Sequence, residues 1–440
     1  MPRWLACILL ILTALMPLSG CKKSSSDPFF FETTFLSVIH ASDGGPIDLW
    51  VEGEPIAAGI QFGLATDYRE ITAGNDREIA LFEAGTTRLL AIINPDLDPF
   101  KNYTLVLLGD FASPEVVFIE DDLDQADDDE FEIRAIHAAQ AAGNVDVYIT
   151  TPGTNVGDVS PTLSDIAFKA FTNFGSLRAG TYQIQITEPG DETVLYDSGP
   201  VVFFEDTNIT LVVEPSAEGN RPLMVTAVDS NQGFPAVKFP DVRARIRMIH
   251  AISDNETLEL LIDGDMLVSG LGFTASSGFD DIQSGDMRTI AVRQSSGSTP
   301  LIEEDVDIEA LTDRTLVATN SLADPQRIWL MDDPEPPAAG KALLRLVHGA
   351  SLAGMIDVYV TGEDISTLDP DYTLDFLDVV DHFEVDVGDV TVQITAAGLK
   401  MVLINESITL SSGDAVTAIG FDPPPGQPVP FTLKYFSDRP

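Results

Sequence analysis

Four stretches of the chain alternate apolar and polar residues with a period of two, and each runs into a histidine: LSVIHAS around His40, RAIHAA around His137, RMIHAI around His250 and RLVHGA around His348. Successive side chains of a strand point to opposite faces, so positions two and four before each histidine share a face. Those positions hold Val38 and Leu36, Ala135 and Ile133, Met248 and Ile246, Leu346 and Leu344, a wholly apolar and therefore core-facing row. The position three before holds Ser37, Arg134, Arg247 and Arg345, which the alternation assigns to the solvated face. A second strand-like run follows each histidine: IDLWV (47–51), VDVYI (145–149), LELLI (258–262) and IDVYV (356–360). Further on, a turn at Gly74, Gly180, Gly285 or Gly388 separates two more alternating runs. Beyond the first residues no stretch keeps a helical period over three turns.

Matched elements in the same order, four times over, indicate four homologous units. The histidines recur at intervals of 97, 113 and 98 residues, a domain-sized period. Short β-branched and aromatic runs bounded by Gly, Pro, Asn and Asp predict an all-β chain of four tandem immunoglobulin-like antiparallel β-sandwich domains. The units are placed at residues 33–126, 131–233, 243–333 and 341–440, behind a leader at 1–20 and a tether at 21–32. The joints IEDDLDQADDDEF (119–131), FPAVKFPDVRA (234–244) and MDDPEPPAAG (331–340) are acidic or proline-rich. Such segments self-repel or stiffen, so an elongated rod is expected.

The repeat bears directly on candidate chemistry. His40, His137, His250 and His348 each close a core-facing row, where an imidazole can bond a backbone group. No nucleophile stands at a fixed spacing from them, so they are read as a structural repeat motif rather than as bases or ligands. On the second strand, Asp48 with Trp50, Asp146 with Tyr148 and Asp357 with Tyr359 are expected to point outward. A carboxylate beside an aromatic ring suits a saccharide surface, and it equally suits cross-strand pairing on a wet sheet. The third unit departs from this pattern, with Glu259 and Leu261. Asp121, Asp122, Asp124, Asp127 and Asp128 form a candidate calcium site, although their run lacks the EF-hand spacing. No other cofactor is expected.

Composition narrows the classes further. Against 24 basic residues stand 70 acidic ones, a net charge of −46, which repels nucleic acid. A hydrophobic content of 44% is too high for disorder. The two cysteines, Cys7 and Cys21, both fall at the start of the chain, which removes disulfides and thiolate metal sites from the folded part. The sequence contains no G-x-S-x-G, H-E-x-x-H or P-loop motif, and no enzymatic activity is expected.

The opening MPRWLACILLILTALMPLSGC has an apolar run too short to span a bilayer and reads as an export signal. Leu18-Ser19-Gly20-Cys21 resembles the lipobox of bacterial lipoproteins. That resemblance implies cleavage before Cys21 and acylation of its sulfur and new amino group. With Lys22 next, it implies a lipoprotein of the bacterial cell envelope held at the outer membrane.

Ile136, His137 and Ala138 followed by Val145, Asp146, Val147 and Tyr148, and the A-G-x-Y-x-I-x-I turn beyond them, resemble a bacterial family of secreted β-sandwich repeats, domain of unknown function 4397. Val347, His348, Ile356, Asp357, Val358 and Tyr359 match in the fourth unit, and the resemblance extends over nearly all of residues 33–440. It implies fold and export, and carries no biochemistry. The functional expectation is a membrane-anchored, non-catalytic binding or adhesion module facing a polysaccharide or an envelope protein. The alternative is a structural spacer or scaffold without its own ligand, and a carboxylate-based hydrolase ranks last.

Overall fold

The computed structural model describes residues 32–123, 126–216, 221–230, 236–254, 256–424 and 431–439. The leader, Cys21 and the tether up to residue 31 lie outside the described residues. The chain folds into four β-sandwiches in tandem, each built from two sheets. In the fourth, one sheet orders the strands Val379–Asp386, Lys341–His348, Ala415–Phe421 and Thr432–Ser437, and the other Tyr372–Leu374, Ile356–Tyr359, Gly388–Ala396 and Val402–Leu410. The other three repeat this plan, with small additions at the sheet edges. Pairing is antiparallel except at one place per repeat, where the histidine-bearing strand runs parallel to its neighbour. Leu344 lies opposite Val416, and Ile133 opposite Ile209, in this parallel register.

Each sandwich has its own apolar core, filled by the row that precedes the histidine and by the inward positions of the second sheet. In the first repeat Leu36 and Val38 meet Ile47, Leu49, Ile79 and Leu81; in the fourth Leu344 and Leu346 meet Ile356, Val358, Val392 and Ile394. Two further cores lie between repeats. Ile39, Ala41, Val106, Leu108 and Ile119 of the first repeat pack on Ile136, Ala138, Val212 and Val228 of the second. Ile249, Ala251, Val317, Ile328 and Leu330 of the third pack on Val347, Ile419 and Phe421 of the fourth. The contributions correspond by register: Ile39 answers Ile136, Val106 answers Val212, and Ile119 answers Val228. Each pair is therefore joined by an isologous, pseudo-twofold contact, sheet against sheet.

This packing corrects two expectations. The face assigned to solvent is buried: Ser37, Arg134, Arg247 and Arg345 are 4%, 3%, 3% and 1% exposed. Alternation shows that two faces differ but not that one is wet, and here the polar face meets its sister repeat. The joints are also partly packed into the repeats. Asp121 and Asp332 are buried under neighbouring repeats, and Val237–Phe239 adds a strand to the second repeat's sheet. The contact between the second and third repeats is polar. Arg243 donates to the carbonyls of Val194 and Leu195 and to Asp241 and Asp281, while Gln283 reaches Asp197 at 3.0 Å.

Candidate functional site

The four repeated histidines are fully buried. In each, Nε2 meets a carbonyl oxygen five or six residues ahead: Gly45 at 2.9 Å, Gly143 at 2.6 Å, Glu256 at 3.0 Å and Gly354 at 2.7 Å. In the last three repeats Nδ1 accepts from the backbone N–H two residues on, of Ala139, Ile252 and Ala350. The ring thereby ties the end of the first strand to the turn that starts the second. Nε2–H donating and Nδ1 accepting is a neutral tautomer. Burial accordingly lowers the basicity of His40, His137 and His250. A phenylalanine packs on each ring, Phe111, Phe168, Phe273 and Phe376 in turn.

The second-strand pairs are not an exposed platform. Asp146 and Tyr148 are each 6% exposed, Asp357 5% and Tyr359 1%, and Asp48 and Trp50 are half-buried. The carboxylates are occupied by backbone and hydroxyl donors. Asp48 accepts from Gly59 N–H at 2.8 Å and Asp146 from Asp165 N–H at 2.7 Å. Both donors sit at β-bulges on the adjoining edge strand, with φ of 68° and 53°. A bulge leaves one residue without a ladder partner, and the aspartate supplies the missing acceptor. Asp357 accepts from Thr373 Oγ1 at 2.6 Å and Gly398 N–H at 2.8 Å. Where the third repeat has Glu259, that side chain instead pairs with Arg293 at 2.8 Å. Trp50 sits edge-on to Phe82, and the Tyr359 hydroxyl accepts from Lys400.

Of the calcium candidates, one is taken up by other partners. Asp121 is enclosed, with Oδ1 accepting from Arg134 Nη2 and Oδ2 from Tyr68 and Thr104, each at 2.6 Å. Asp122, Asp127 and Asp128 are exposed, and Asp124 lies outside the described residues. Among the described residues no three His, Cys, Asp or Glu side chains gather as a metal site would need.

What the repeats do assemble is a reciprocal arginine–aspartate exchange. Arg345 of the fourth repeat donates to Asp332, which closes the third, and to Thr417 at 2.8 Å. Arg247 of the third donates to Asp438, which closes the fourth, and to Thr315, both at 2.5 Å. Asp438 also lies 3.2 Å from Arg345 and accepts from His382 at 2.9 Å. Burial works against the Asp438 carboxylate, but His382 and the two arginines outweigh it and hold it below the usual range. Burial dominates at Asp332, which is raised. In the first pair only half of the exchange exists. Arg134 reaches Asp121 directly, with its guanidinium 4.5 Å over the Phe174 ring, while the reciprocal positions hold Ser37 and Ser230. The arginine and the aspartate are absent together. The sequence carried this signal, an arginine three before the histidine in three repeats and an aspartate closing the same-pair partner.

Two of the clefts that open at the surface lie beside the elements described above. One, of about 430 Å³, lies over Arg134 between the first two repeats, with Glu120, Glu132, Phe171 and Phe174 in its walls. The other, of about 450 Å³, lies at the edge of the fourth sandwich, beside Tyr372 and Phe383.

The family model described as Domain of unknown function (DUF4397) matches residues 34–148 and 244–359, just over half of the chain. The chain belongs to this family. Each matched region starts at the first strand of one repeat and ends in the second strand of its pair partner, at Tyr148 and Tyr359. The DUF4397 match therefore recurs with the same two-sandwich period as the buried exchange. No curated protein matches the chain. Among the described residues no helix is long and apolar enough to cross a membrane.

Proposed function

We propose that the protein is a non-catalytic lipoprotein of the bacterial cell envelope, anchored through Cys21 and acting as a rigid scaffold or spacer. The observation that carries this reading is the burial of the repeats' polar faces in the two pairwise junctions. These faces hold neighbouring sandwiches in fixed register. Buried arginine–aspartate pairs that break at a high energetic cost favour one arrangement over a flexible string. The aspartates that first suggested adhesion satisfy bulges and turns, which favours the scaffold reading over adhesion through them.

Anchoring and role are tested together. Cys21→Ser should move the protein from the membrane pellet to the soluble fraction and abolish incorporation of labelled palmitate. Deleting the third and fourth repeats as a unit should change envelope spacing or partner assembly more than any single surface substitution. A Cys21→Ser protein that stays lipid-labelled and membrane-bound would overturn the anchor, and a point variant as severe as the deletion would overturn the spacer.

A further inference from the structure

The fourth repeat differs from the second at one end of its sandwich. In the second repeat that end is plugged by rings: Phe131 stacks on Phe203 at 4.8 Å, and Tyr182 packs edge-on to Phe131 at 5.9 Å. Register places Ala342, Leu410 and Val390 at the corresponding positions of the fourth repeat. Of these only Val390 lines the cleft of about 450 Å³ described above, a volume within the roughly 300–1,000 Å³ of small-molecule sites. Its apolar wall is half-buried Tyr372 and Phe383, with ring centroids 5.4 Å apart.

The rim is strongly acidic, and its carboxylates are only partly engaged. Asp371 accepts from Val360 N–H, Glu384 from Ala338 N–H, Asp386 from Lys341 Nζ and Asp389 from Thr409 Oγ1, each through one oxygen. Four carboxylates against a single ammonium disfavour an anionic ligand and attract a cationic one. Aromatic faces beside them accept both an apolar ring face and a cation. The two bordering strands, Val379–Asp386 and Tyr372–Leu374, are sheet edges; Asp381, Glu384 and Asp386 on the first discourage strand addition by a peptide there.

We infer that this cleft binds a saccharide carrying free amino groups, its ring face against Tyr372 and Phe383 and its ammonium groups against the carboxylate rim. This activity is separate from the scaffold role and does not depend on it.

The test is calorimetric titration of the detergent-purified full chain with the β-1,4-linked glucosamine tetramer, with the N-acetylated tetramer as neutral control. The amine-bearing tetramer should bind at least tenfold more tightly, and its binding should fade as salt approaches ~1 M, where charges are screened within about 3 Å. Val390→Tyr, which restores the ring found in the second repeat, should weaken binding at least tenfold in protein that melting shows to be folded. Asp389→Asn, at an exposed side chain, is the independent variant and should weaken it severalfold. Equal binding of the two tetramers, binding of neither, or binding that neither variant reduces would overturn the proposal. So would capture of a lysine-rich peptide in place of the amino sugar.

Discussion

Glu214 shows how one side chain can make a junction responsive to pH. It lies on the strand Asn208–Pro215, fully buried, in the place that Leu108 occupies in the first repeat. Thr226 donates to one of its oxygens, while the other has no partner among the described residues. Gly63 of the first repeat presses against it, since a Cβ there would come within 3.0 Å of the carboxylate. Burial pushes its pKa up to about 8, against the smaller pull of Thr226 and Lys238. An unfolded glutamate titrates near ~4.3, so the folded protein binds the extra proton between these values. The sign follows: this contribution to stability is complete below about pH 4 and is lost as pH rises through about 8, by up to roughly 1.4 kcal/mol per pH unit within the window. Glu214→Gln should therefore flatten the wild-type decline in stability between pH 5 and 8, as read from denaturant midpoints at several pH values. Parallel pH profiles for the two proteins would exclude Glu214 as the source.

At the scale of the strand, the exchange between repeats makes a stronger prediction. Ser37 and Ser230 occupy the positions where an arginine and an aspartate would complete the first pair. Introducing Ser37→Arg or Ser230→Asp alone leaves a charge against a buried face and should destabilise by several kcal/mol, as unpaired buried charges do. Together they should recover much of that loss, with a coupling of about 1–3 kcal/mol in a double-mutant cycle. Strictly additive losses would show that the pseudo-twofold relation fails at this position. The same strands explain what could be read from the chain in advance. Leu36, Val38 and their counterparts revealed the cores, the histidines revealed the repeat, and the two-period revealed sandwiches, because each signal is local. Whether Arg345 is wet or buried depends on Asp332 and Asp438, which reach it only through tertiary packing. Asp48 and Asp146 misled for a related reason: a bulge at Gly59 or Asp165 on another strand creates the donor they satisfy.

For the molecule as a whole, the junctions differ in kind, and cooperativity should follow that difference. Within each pair the contact combines an apolar cluster with buried arginine–aspartate bonds. Opening it exposes hydrocarbon to water and strands charges, so one sandwich of a pair cannot unfold without a large penalty to its partner. Between the second and third repeats the contact is polar, through Arg243, Asp241, Asp281, Arg221 and Gln283. Asp281 is 40% exposed there although Arg221 and Arg243 are buried, and among the described residues no apolar cluster bridges these two repeats as one bridges each pair, so the coupling is weaker. Unfolding should then proceed in two transitions, each spanning two sandwiches, rather than in one or four. Arg345→Ala removes a cation from Asp332 and Asp438 and should destabilise the third and fourth repeats by about 3–5 kcal/mol. Differential scanning calorimetry should show one transition moving down by several degrees while the other stays in place, and hydrogen exchange should assign the moving one to residues 243–439. A shift of both transitions would mean that the polar junction transmits stability as strongly as the apolar ones. A shift confined to the fourth repeat would mean that the pair is not the unit of folding.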